Sequence, residues 1–296
     1  MNSYKALYWG KNDNNSVRCE LCPHRCHIAE NTAGICGARE NHNGSLTASG
    51  YGQISSAALD PIEKKPLSMF HPGSRILSIG GFGCNLRCPF CQNYEISMKY
   101  RRNSGQEGKG PERRSRDFSP DDIARLAVQS IPDGNIGVAY TYNEPLIGYE
   151  FLCDCARLVH DEGLMNVVVT NGYINPEPLE DLLPLTDAMN IDLKGFTDGF
   201  YNEIGGTLEP VKDTIARAYK HCHIEVTTLV IPEENDSDIE ELSEWLASIS
   251  PDIPLHLTRF FPRYRYEDRA PTPRETVLKL CETAKGHLKY VFAGNM

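Results

Sequence analysis

Cys84, Cys88 and Cys91 fall within GGFGCNLRCPFCQN (80–93), spaced C-x3-C-x2-C directly behind a glycine-rich turn. Thiolates ligate zinc and iron–sulfur clusters, and three so close together serve one centre. Tetrahedral zinc wants a fourth protein ligand, or water in a catalytic site. A [4Fe–4S] cube normally takes four thiolates, so three leave one iron open to an exogenous ligand. The turn Gly80-Gly81-Phe82-Gly83 lets backbone wrap closely around a bulky inorganic group.

A second set, CELCPHRCHIAENTAGIC, places Cys19, Cys22, Cys26 and Cys36 as C-x2-C-x3-C-x9-C, a complete set of four ligands. It reads as a second [4Fe–4S] cluster, as structural zinc, or as free or redox-active thiols. His24 and His27 could each replace a cysteine in the ligand set. His221 and His223 share a strand face but lack a third ligand. Cys153, Cys155, Cys222 and Cys281 stand apart and read as small buried hydrophobes.

These residues need a scaffold, and the pattern around them supplies one. Apolar runs at 75–81, 136–142, 165–172, 187–195, 224–232 and 254–260, with a last one near 288–295, read as strands. Amphipathic segments at 145–163, 176–185, 209–221, 236–249 and 272–286 read as helices. Gly163 is expected as the residue just past one helix, and an Asp is expected to cap the helix at 236. Such alternation implies right-handed βαβ units and a parallel sheet, either a full or partial (β/α) barrel or a doubly wound open sheet. Both put function at the strand C-termini. Residues 1–74 read as an irregular, Cys-rich N-terminal region and 75–296 as the α/β domain. DPIEKKPL (60–67) is expected to connect the two, with Lys64 and Lys65 at the surface or in salt bridges. KYRRNSGQEGKGPERRSR (99–116) reads as a basic, mobile surface insertion or as a dock for an acidic partner.

The cysteine triplet, with the aromatic Phe90 before its last member, resembles the cluster motif of the radical S-adenosylmethionine (SAM) enzymes. Three further segments resemble that family at successive strand ends: YTYNEP (140–145), TNGY (170–173) and DLK (192–194). The likeness implies a partial (β/α)6-type TIM barrel with a Cys-rich N-terminal extension. It implies a [4Fe–4S] cluster on Cys84, Cys88 and Cys91, with SAM chelating the open iron. Reductive cleavage would then give methionine and a 5′-deoxyadenosyl radical that abstracts hydrogen from a substrate. Carried over by position, Asn143 and Glu144 would meet the methionyl amine, while Thr170, Asn171, Asp192 and Lys194 would meet the ribose and carboxylate. His256 and Arg259 stand near a SAM-contacting position of the activases without being in register. The same motif makes Phe90 a cofactor-contacting residue.

Longer strings, CELCPHRCHI, DPIEKKPL, VTNGYINPEPLE and EVTTLVIP among them, resemble the radical SAM member of the AmmeMemoRadiSam system, related to pyruvate formate-lyase activating enzymes. That resemblance implies a flavodoxin or ferredoxin as electron donor and partners of Memo and AMMECR type. The hydrogen removed would be a glycyl Cα–H of a partner protein, with small-molecule modification as the alternative and a non-catalytic Fe–S or zinc scaffold as the rival outside enzymes. Tyr142 and Asn143 stand where the family has glycines. Val169 replaces an Asp that helps bind a cation in the activases, so no cation site is carried over.

A formal net charge of −10 argues against nonspecific nucleic-acid binding. No apolar run approaches a membrane span, and the first residues lack a secretory core, so a cytoplasmic location is expected.

Overall fold

RILSIG is buried at every position after its first, the pattern of a parallel strand covered on both faces. In a computed structural model, which describes residues 4–98 and 115–296, this segment belongs to an eight-stranded sheet. Its strands are β1 (Ser56–Pro61), β2 (Arg75–Gly80), β3 (Asn135–Tyr140), β4 (Met165–Thr170), β5 (Ala188–Asp192), β6 (His223–Val230), β7 (Leu255–Arg259) and β8 (Val291–Gly294). They lie side by side in chain order. β1 is antiparallel to β2, and all other neighbours are parallel.

Each parallel step is bridged by a main helix: α1 (Pro120–Gln129), α2 (Tyr149–Asp161), α3 (Pro176–Leu182), α4 (Leu208–Ala218), α5 (Ile239–Ile249) and α6 (Arg274–Lys285). A sequential order has no reversal point, which removes the doubly wound alternative. Side chains from the C-terminal ends of β4 to β8, and from the loops after β1, β2 and β3, surround one cavity. A flat sheet could not place β8 and the β1 loop around the same space, so the sheet curls into a partial barrel. Its outer strands β1 and β8 do not pair.

Local chemistry sets the boundaries. α1 starts at Ser119, whose hydroxyl and Asp122 form a reciprocal capping box, with Pro120 in the first turn. α2 is preceded by a 3-10 turn, Pro145–Gly148, and Gly163 just beyond its end takes φ +71°. The expected Asp cap at 236 is not made. A 3-10 turn occupies Asp236–Asp238, and Asp238 accepts the Phe196 N–H at 2.9 Å instead of capping α5. β3 and β4 approach so closely at Gly137 that a Cβ there would lie 1.8 Å from the Met165 carbonyl oxygen.

The N-terminal part is more regular than expected. Trp9–Lys11, Val17–Cys19 and His27–Ile28 form a three-stranded antiparallel sheet, and Arg39–His42 pairs with Ser45–Ala48 as a hairpin. Asn43 and Gly44 turn that hairpin with φ +52° and +72°, a demand that Asn and Gly meet cheaply. Nor is it separate at residue 74. β1 joins the barrel sheet, and Val17, Leu21, Ile28 and Leu46 share one core with Leu77, Val138 and Val168. A buried ion pair between Arg39 and Glu150 at 2.8 Å fastens it to α2. Of the basic stretch 99–116, residues 99–114 lie outside the described residues; Arg116–Asp117 pairs with Gln53–Ile54.

Candidate active site

β2 delivers the chain to Gly80 at the barrel mouth, and the next four residues turn it toward the cavity. Gly83 adopts φ +90°, and a Cβ there would stand 2.3 Å from the Cys36 carbonyl oxygen, so only glycine fits. Cys84, Cys88 and Cys91 follow, and all three line the cavity of about 670 Å³, a volume suited to a small-molecule cofactor. The loop carrying them is pinned on several sides. Leu86 is fully buried, Arg87 N–H donates to Ile204 O at 2.7 Å, and Arg265 N–H donates to Pro89 O at 2.9 Å. Phe90 packs against Phe200 and Tyr266 and also lines the cavity.

None of the three thiols is in a disulfide, and burial pushes Cys88 up to about 11, with Lys194 working against that rise. Ligation would therefore release protons. Among the described residues no three His, Cys, Asp or Glu side chains converge on a single-ion site. Three cysteines lining one large cavity, with no fourth among the residues that line it, fit a cluster that leaves one iron for an exogenous ligand.

Glu144, buried in the loop after β3, lines the same cavity. Its Oε1 accepts from the Thr170 hydroxyl at 2.7 Å and the Leu146 N–H at 3.0 Å; its Oε2 accepts from the Asn171 N–H at 2.8 Å. Burial pushes this carboxyl up to about 7, although those three donors and Lys194 pull the other way. A carboxylate offers about four lone-pair sites, so about one remains for a ligand donor. Thr170 and Asn171 are thus spent on Glu144 rather than turned freely to the cavity. The Asn171 amide also donates to Asn85 Oδ1 at 2.8 Å and to Cys84 Sγ at 3.6 Å, linking Glu144 to the cysteine loop.

Lys194 Nζ lies 2.9 Å from Asp192 Oδ2 at the end of β5, and both line the cavity. Burial pulls Lys194 down, but Asp192 beside it more than offsets that and keeps it charged. Asn143 also lines the cavity, though its side chain braces the glycine turn, accepting from Gly81 N–H at 2.8 Å and donating to Gly83 O at 3.1 Å.

The two residues of uncertain register separate. His256 reaches the cavity, but its Nε2 is 2.6 Å from Glu225 Oε2 and its ring stacks on Phe292. Arg259 is not among the cavity-lining residues: its Nε donates to Thr272 O and its guanidinium covers Phe261. His223 contacts the other oxygen of Glu225 at 3.0 Å, which explains the HCH segment without a metal. Burial raises Glu225, yet the two histidines and the Met69 and Ser68 N–H groups outweigh it and bring it to about 2. His24 Nε2 is engaged 2.7 Å from Asn85 O, and His27 Nδ1 lies 3.2 Å from Asn12.

Lys65 takes the salt-bridge alternative and is buried in doing so; it bridges to Asp60 at 2.9 Å and sits 4.7 Å above the Tyr142 ring, whose hydroxyl donates to Asp60 at 2.7 Å. Burial raises Asp60, but Lys65 and Tyr142 hold it below the ordinary carboxylate range. Tyr142 takes φ +70°, the left-handed region that its glycine counterparts would enter freely. The side chain thus closes the wall where glycines would leave it open. Lys64 keeps the expected exposed pairing with Asp60 at 3.3 Å.

Among the described residues no helix is long and apolar enough to cross a membrane. Residues 78–246 match the model of the Radical SAM superfamily. An uncharacterized protein of Methanocaldococcus jannaschii is 41% identical over 299 residues, covering 99% of this chain and 85% of that one. The pyruvate formate-lyase 1-activating enzyme of Escherichia coli K12 is 26% identical over 174 residues, which is 56% of this chain and 65% of that enzyme. Streptococcus suis SuiB, solved bound to S-adenosylmethionine, shares the fold with a TM-score of 0.52 at 14% identity, over 71% of this chain and 47% of that one. The match to the superfamily model, with the cysteine loop inside it, makes this chain a member of the radical SAM superfamily, related to pyruvate formate-lyase activating enzymes.

Proposed function

We propose that this chain binds a [4Fe–4S] cluster through Cys84, Cys88 and Cys91, with SAM on the fourth iron, and removes a hydrogen atom from a partner protein. The observation that carries the reading is the shared cavity, which Cys84, Cys88 and Cys91 line together with Glu144, Asp192 and Lys194. When bound, the cluster and SAM supply one-electron reduction of a sulfonium and the hydrogen abstraction that follows.

The chain's own residues bind and orient. The remaining acceptor site of Glu144 suits an ammonium, and Lys194 supplies positive charge for a carboxylate. Thr170 and Asn171 act as positioning residues whose donors favour the ionised form of Glu144 against the effect of burial. Asn143 holds the turn that presents Cys84. Tyr142 and Lys65, held by Asp60 behind them, form a wall with no counterpart in a glycine-lined site and would shape what enters. We take the glycyl Cα–H of a partner as the target because the activating-enzyme relatives are named for that kind of work, and Memo-type and AMMECR-type proteins as the partners because of the extended sequence resemblance.

Anaerobically reconstituted protein, given dithionite and SAM, is expected to release 5′-deoxyadenosine, and Cys88→Ala is expected to abolish the release. An intact cluster with no release would sink the enzyme reading. A glycyl EPR doublet on a co-purified partner would separate protein activation from small-molecule chemistry.

A further inference from the structure

The four N-terminal cysteines lie outside the cavity, yet they meet in one place. Cys19 ends the strand Val17–Cys19, and its N–H donates to the Cys26 carbonyl at 3.0 Å, so antiparallel pairing sets the two side by side. Arg25 N–H donates to Cys22 O at 3.0 Å, closing the turn between Cys22 and Cys26. A Cβ at Gly34 would lie 3.8 Å from that of Cys26, which brings the segment leading to Cys36 onto the same spot. Cys22 lies within electrostatic reach of Cys19, Cys26 and Cys36, and Cys36 within reach of Cys19 and Cys26. No disulfide joins them.

The four cysteines supply a complete thiolate set, which is what a [4Fe–4S] cube takes. A cube on four thiolates carries net negative charge. Arg39 stands beside this one: it is 1% exposed, its charge acts on Cys19 and Cys36, and its Nε–H is a buried donor with no acceptor. Donors to cluster sulfur are a usual part of such sites.

The group also touches the other centre's loop. The Cys36 carbonyl occupies the space a Cβ at Gly83 would need, at 2.3 Å, and Gly83 precedes Cys84. Cys36 packs with Ile147, three residues past Glu144, and His24 holds Asn85 by its carbonyl at 2.7 Å.

We propose that Cys19, Cys22, Cys26 and Cys36 bind a second [4Fe–4S] cluster, which relays single electrons to the centre on Cys84, Cys88 and Cys91. Ligation releases the four thiol protons to solvent. In the relay, a low-potential one-electron donor of the iron–sulfur or flavin class is oxidised. The N-terminal cluster is reduced and then reoxidised as the electron passes on, and no bond is made or broken. The relay rests on the function proposed above; the ligand assignment does not.

The test is iron, sulfide and zinc content of anaerobically reconstituted protein, with EPR in the presence and absence of SAM. About eight irons per chain are expected, four per cube, with two signals of which SAM alters one. The C84A/C88A/C91A variant should keep about four irons and the SAM-insensitive signal. The C22S/C36S variant should keep about four irons and the SAM-sensitive signal, while its SAM cleavage driven by a reduced flavodoxin-class donor falls about tenfold or more. About four irons with one zinc in the unaltered protein, or no iron in a folded C84A/C88A/C91A variant, overturns the second cluster. Equal donor-driven cleavage in C22S/C36S overturns the relay. Loss of SAM sensitivity with about eight irons present strikes the proposed function and leaves the N-terminal ligands standing. If a variant does not fold, the metal count and the number of signals in the unaltered protein decide.

Discussion

Replacing Thr170 with Val removes one hydroxyl and keeps the shape of the side chain. In the structure that hydroxyl donates to Glu144 Oε1 at 2.7 Å and accepts from the Gly172 N–H at 3.0 Å. A hydrogen bond to a charged group contributes about 1.5–3 kcal/mol, and one pKa unit corresponds to about 1.4 kcal/mol. Losing it should therefore raise Glu144 by roughly one to two units above its value of about 7. At pH 7 the native carboxyl is about half ionised; a one-unit rise leaves about a tenth ionised, and two units about a hundredth. If the carboxylate form binds the SAM ammonium, affinity at pH 7 should fall about fivefold to fiftyfold and recover as pH rises toward 9. Thr170→Ser, which keeps the hydroxyl, should stay near native. SAM binding to cluster-loaded protein, measured by equilibrium dialysis between pH 6 and 9, reads this directly. Equal affinity and an unmoved pH midpoint in Thr170→Val would refute the assignment of Glu144 as the ammonium acceptor.

Other perturbations follow from named contacts. Glu225 has its folded value lowered from 4.5 to about 2, so it contributes stability above pH 4.5 that is lost as pH falls toward 2. Glu225→Gln should flatten that acid limb in denaturant melts, and an unchanged limb would place acid sensitivity elsewhere. Gly83→Ala puts a Cβ 2.3 Å from the Cys36 carbonyl at φ +90°. It should cost about 1–2 kcal/mol in backbone strain alone and loosen iron retention, so a native melting temperature with full iron content would contradict the packing described. Tyr142→Phe deletes the donor to Asp60 and should lower stability by about 1–2 kcal/mol; a change within error would mean water replaces that bond.

Much of the barrel was legible because parallel strands advertise themselves. Continuous runs such as RILSIG and NIGVAY are buried on both faces, and the connecting helices carry an apolar stripe. The N-terminal sheets were not, because strands of two to four residues show no period. The signal available there was the Asn43-Gly44 dipeptide, which fixes a two-residue hairpin through its positive φ angles. The place of β1 was hidden for a related reason: no residue of SAALDP is fully buried, so composition gave no hint that it edges the main sheet.

At the site, residue types predicted presence better than they predicted role. Cys84, Cys88, Cys91, Glu144, Asp192 and Lys194 all reach the cavity, since strand ends in a barrel converge on one mouth. Which partner each side chain takes depends on neighbours distant in sequence. Thr170 and Asn171 turn to Glu144, twenty-six and twenty-seven positions away, and His256 to Glu225, thirty-one away. Lys65 shows the same limit from the other side. A lysine in a KK pair reads as surface or salt-bridged, and the burial of its ammonium between Asp60 and the Tyr142 ring, at φ +70°, depends on a residue far along the chain. Tyr142 is therefore the residue through which this chain departs from a glycine-lined pocket. Its ring replaces open volume with a cation–π contact and a fixed carboxylate, so the wall it builds is polar and preorganised.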